Sequence, residues 1–197
     1  MASTTIPHID DLSTFTGPLT LSDDWYTYTL HMDPNHLTID VKCSAHNRCI
    51  NKARAITISV PDGIDYALNF QECFEGYHHI RDISALSSID SSKIISTELM
   101  FAGVWYLKDL SPLSSWNVSN IHNMSGMFWR CRNLTDLTPL SSWKVPDDCV
   151  LSGFYSRCSD VRPYDYHPPL PWEEPHRRYY RQLVPSWLLE KHMNHRH

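Results

Sequence analysis

The sequence predicts an α/β fold: a short solenoid of about three to four coils with a 27-residue period, a small N-terminal β cap and a proline- and aromatic-rich C-terminal cap. Three observations predict it. Residues 107–131, LKDLSPLSSWNVSNIHNMSGMFWRC, return without a gap 27 residues later as LTDLTPLSSWKVPDDCVLSGFYSRC. The apolar period changes from two to 3.6 along each copy, as alternating strands and helical turns require. The composition changes at both ends of the repeated region, where a stack of repeats needs caps to cover its apolar end faces.

Taken in order, residues 1–20 read as an arm. Trp25–Leu30 is aromatic and β-branched, while His36–Val41 and Ala55–Val60 alternate apolar and polar residues. These are strand signals, and an antiparallel unit closing the first coil is the economical reading. An entry copy starts near Ile56 and a degraded copy near Ile80; two clear copies follow from Leu107 and Leu134. In each, apolar residues fall at i, i+3, i+4 and i+7: Phe70, Cys73, Phe74 and Tyr77, then Thr97, Met100, Phe101 and Val104, then Met124, Met127, Phe128 and Cys131, then Leu151, Phe154, Tyr155 and Cys158. That spacing predicts one or two helical turns with a buried stripe. Ser111-Pro112 and Thr138-Pro139 read as a hydroxyl N-cap followed by proline, starting a second short helix. The expected division is therefore residues 1–55 as arm and β cap, 56–160 as repeats, and 161–197 as a tail with a short helix near Trp187.

The stretch Leu113–Leu134, LSSWNVSNIHNMSGMFWRCRNL, resembles the bacterial surface-protein repeats of about 26 residues, a relative of the leucine-rich repeat. The likeness extends over about half of the chain. It implies stacked coils and a role in adhesion or protein binding rather than catalysis.

Composition agrees with a globular, non-catalytic chain. Of 197 residues, 42% are hydrophobic and 20% charged, and a net charge of −5 is too mild to suggest a nucleic-acid mimic. No phosphate-cradling glycine loop, nucleophile elbow or H-E-x-x-H pair is present, and no apolar run is long enough to span a membrane. Residues 1–18 lack the basic and apolar regions of a secretory signal. Cys131 and Cys158 occupy a position that Val104 fills in the preceding copy, so the six cysteines read as thiols, several of them buried, and the expected compartment is the cytoplasm. Neither cofactor nor metal is expected. Cys43, His46 and Cys49, even with Cys73 and His78 or His79, are spaced too loosely for a zinc knuckle. The row Asp82, Asp109, Asp136 reads as turn acceptors, not as a calcium ladder.

The expected partner is another protein. Trp129 lies where sister copies carry Ala102 and Ser156, and with Trp105 and Tyr106 it is the expected contact surface. In the tail, Trp172, Arg177, Arg178, Tyr179, Tyr180 and Arg181 add an aromatic and basic patch. The expected function is an interaction module that recognises and inhibits an intracellular protein, with a mobile-element origin. The alternative is a fragment of an exported adhesin. A third reading is a weak nucleic-acid binder acting through the tail patch.

Overall fold

The computed structural model describes residues 20–21, 25–33, 36–45, 48–60, 63, 65–158 and 187–188. Strands β2 (Tyr26–Asp33) and β3 (His36–Cys43) form an antiparallel hairpin, with Tyr28 opposite Val41 and Leu30 opposite Ile39. Alternation places Tyr26, Tyr28 and Leu30 inside with Leu37, Ile39 and Val41. Strand β5 (Asp65–Asn69) joins β3 in parallel, and β6 (Ile94–Ser96) joins β5 in parallel, giving a four-stranded mixed sheet in the order β2-β3-β5-β6. Strands β1 (Thr20–Leu21) and β4 (Ile58–Ser59) make a separate antiparallel pair. The predicted strand Ala55–Val60 thus shrinks to two paired residues. Strand β5 gave no period-two signal because it buries Ala67 and Leu68 in succession.

The α/β solenoid expected from the sequence is corrected here. The described residues hold this small sheet and short 3-10 turns, and none of their helices reaches seven residues. The reason lies in the backbone. Each stretch expected to be helical carries two residues with positive φ, four apart: Glu72 and Gly76, Leu99 and Gly103, Gly126 and Arg130, Gly153 and Arg157. A right-handed helix cannot pass through left-handed residues. The short strand expected over 133–137 does not form, and single bridges instead join Ser96 with Asn123 and Asn123 with Val150, ahead of the turns.

The apolar stripe is buried nonetheless. Phe74, Phe101 and Phe128 stack in a row, with centroids 5.5 and 5.6 Å apart. Trp116 and Trp143 stack at 6.5 Å, and their Nε1–H groups donate to Leu86 O at 3.0 Å and Leu113 O at 2.9 Å. Trp187 continues that row from the far end of the chain: it lies 6.2 Å from Trp143 and donates to Leu140 O at 2.9 Å. Leu188 beside it is fully buried. The 3-10 turns at Ser111–Leu113 and Thr138–Leu140 do carry proline in their first turn, but the cap is not the expected hydroxyl. Asp82, Asp109 and Asp136 each accept the N–H two residues on, from Ser84, Ser111 and Thr138, at 2.8 Å.

Candidate functional site

The turns that replace the expected helices follow one hydrogen-bonding rule. Alternate N–H groups donate back three residues, as Cys73 does to Phe70, Met100 to Thr97 and Met127 to Met124. The N–H groups between them donate sideways to the following copy. Gly76 donates to Ala102 O, Gly103 to Trp129 O and Arg130 to Ser156 O, at 2.8, 2.7 and 2.9 Å. Glu72, Leu99 and Gly126 do the same to Glu98, Ser125 and Ser152, while Phe74, Phe101 and Phe128 donate to Met100, Met127 and Phe154. Three parallel files of peptide groups therefore cross the copies, each peptide accepting on one side and donating on the other. At the N-terminal end, Lys42 Nζ donates to Gln71 O and Cys43 N–H donates to Cys73 O. At the other end, Gly153, Tyr155 and Arg157 N–H meet no acceptor among the described residues.

This frame sets out a row of rings and cations just after each turn. The His78 ring stacks on Trp105 at 3.9 Å, held there by Nδ1–H donating to Gly103 O at 2.7 Å. Arg132 lies over Trp105 at 4.4 Å. Next to them His79 stacks on Tyr106 at 5.3 Å, and Arg81 lies over Tyr106 at 4.8 Å. Trp129 carries Arg130 at 4.3 Å and Arg157 at 6.0 Å. Such contacts contribute about 0.5–1 kcal/mol each when exposed, and they fix otherwise mobile guanidinium groups. Tyr106 is 39% exposed, Trp105 and Trp129 are half-buried, and the four arginines Arg81, Arg130, Arg132 and Arg157 are exposed. Segments 102–108, 129–135 and 156–158 hold Lys108, Arg130, Arg132 and Arg157 and no carboxylate, in a chain whose net charge is −5.

Trp105, Tyr106 and Trp129, expected as contacts, thus lie along one row and share it with cations. Trp172, Arg177, Arg178, Tyr179, Tyr180 and Arg181 lie outside the described residues, as do the proline-rich stretch and His46 of the loose cysteine–histidine set. Sequence reasoning missed Arg130, Arg132 and Arg157. The available signal was arginine at 130 and 157 where the earlier copies carry Gly76 and Gly103.

Several of the cysteines are buried thiols in this frame. Cys73, Cys131 and Cys158 are buried, and Cys131 and Cys158 thiols donate to Phe101 O at 3.1 Å and Phe128 O at 2.9 Å. Burial pushes Cys73 and Cys131 well above the usual thiol range, and pushes Cys158 up to about 12. Among the described residues, no three histidine, cysteine or acidic side chains group as metal ligands would, and no helix is long and apolar enough to cross a membrane.

Residues 67–162, which include the whole ring–cation row from His78 to Arg157, match the model of a family described as "Mycoplasma protein of unknown function, DUF285". Neither the curated proteins nor the solved structures contain a match to this chain.

Proposed function

We propose that this chain is a non-catalytic protein-recognition module that binds an intracellular partner through the row Trp105, Tyr106 and Trp129 and inhibits it. The row itself carries the reading: partly exposed rings, each with an arginine over it, stand on a backbone frame hydrogen-bonded from copy to copy. Aromatic and arginine side chains are the residues that most often dominate the energy of protein interfaces. Prior immobilisation by stacking lowers the entropy cost of docking them. The likeness of Leu113–Leu134 to bacterial surface-protein repeats supports binding as the class of function, and thiols held protonated by burial support a non-catalytic role.

Affinity capture from lysate with the intact chain and with Trp105→Ala/Trp129→Ala tests the reading. One partner enriched by the wild type and lost with the double variant, whose fold is checked by circular dichroism, is the expected result. Capture that is indifferent to both tryptophans would reject the row as the contact surface. Binding to intact cell surfaces with no lysate partner would favour the exported adhesin implied by the repeat likeness. Inhibition is tested by adding the purified chain to the captured partner's own assay.

A further inference from the structure

Three departures from the repeat pattern meet at one corner of this row. Trp129 stands where sister copies have Ala102 and Ser156. Arg130 and Arg157 stand where they have Gly76 and Gly103, and both hold the left-handed backbone, with φ of 58° and 62°. An arginine there is strained where glycine is not, yet it occurs in two successive copies, and both guanidinium groups lie over the same indole. A second observation lies on the same residues. Among the described residues the three files run as far as this copy, where the N–H groups of Gly153, Tyr155 and Arg157 are given to no described acceptor. Donors on alternate residues are what an added peptide segment pairs with.

Resting on the reading as a protein-recognition module, we propose that the Trp129–Arg130–Arg157 corner docks an extended acidic segment of the partner protein. Its carboxylates take the two guanidinium groups, and its main-chain carbonyls take the N–H groups of Gly153, Tyr155 and Arg157. Guanidinium and carboxylate match as paired donors and acceptors. A single-stranded nucleic acid would want open ring faces for its bases. Here Trp105 has His78 on it and Arg132 over it, and Trp129 carries arginine.

The test uses the intact chain and a fluorescently labelled glutamate-rich peptide, read by anisotropy. A glutamine peptide of equal length and an oligothymidylate of equal charge are run beside it. The informative variant is Arg130→Gly/Arg157→Gly, because it installs the residue that the earlier copies carry and removes backbone strain, so the fold survives. The glutamate peptide is expected to bind, to weaken as salt rises, and to lose roughly ten-fold in affinity in the variant and at least as much when glutamine replaces glutamate. Equal binding by variant and wild type, or tighter binding of the oligothymidylate, would overturn the proposal. Capture of the partner that persists in the variant would overturn this site and leave the wider recognition reading standing. Peptide binding by a chain that captures no partner would support this site and count against the wider reading.

Discussion

Arg130 and Arg157 carry a backbone conformation that Gly76 and Gly103 adopt freely in the earlier copies. Replacing either arginine by glycine should leave stability unchanged or raise it by about 1 kcal/mol, read as the midpoint of urea unfolding. Gly126→Ala should do the opposite. Its φ is +59°, and a Cβ there would come within 2.6 Å of Leu99 Cδ2, so a loss of roughly 2–3 kcal/mol is expected in the same assay. Thiol chemistry is a second check at this scale. Cys49 is exposed and should alkylate in the native protein, while Cys73, Cys131 and Cys158 should react only on unfolding. Prompt native labelling of Cys131 would contradict its burial. The recurrence of arginine was legible in the sequence. Its left-handed backbone was not, because nothing local distinguishes an arginine that takes positive φ from one that does not.

Among elements, the tryptophan row gives the sharpest expectation. Trp143→Phe removes the donor to Leu113 O and some of the stacked area between Trp116 and Trp187, and should cost about 2 kcal/mol by urea unfolding. A variant as stable as the wild type would mean the bond contributes nothing. The sequence showed which residues are buried better than how they are buried. The i, i+3, i+4, i+7 stripe marked Met124, Met127, Phe128 and Cys131 for the interior, where they are, but it read as a helix. Turns that alternate a backward and a sideways N–H bring the same residues inward, and side-chain periodicity cannot tell the two backbones apart. The hairpin β2–β3 was legible because its alternation is clean. Strand β5 was hidden by its doubly buried pair.

For the whole molecule, the titrating groups bound stability on both sides. Asp82 and Asp109 are held below the ordinary 3.8 by the hydroxyl and then the N–H of Ser84 and Ser111. Their contribution is therefore present above 3.8 and lost as pH falls through the lower folded values. Burial raises Cys158 from 9.0 and Tyr77 from 10.0 to about 12, so the fold keeps protons that the unfolded chain releases. That contribution is present below 9.0 and disappears as pH climbs toward about 12. Urea midpoints plotted against pH should form a dome, and Asp82→Asn/Asp109→Asn should flatten its acid side alone. The contact between Leu99 and residue 126 reaches further. The Leu99 side chain fills the space beside the next copy's left-handed residue, where a Cβ would crowd it, and that residue is Gly126. The copies are consequently not interchangeable modules. Glu72 at the same position is followed by Leu99, so the fit is particular to one junction, where a change in one copy has to be matched in the next.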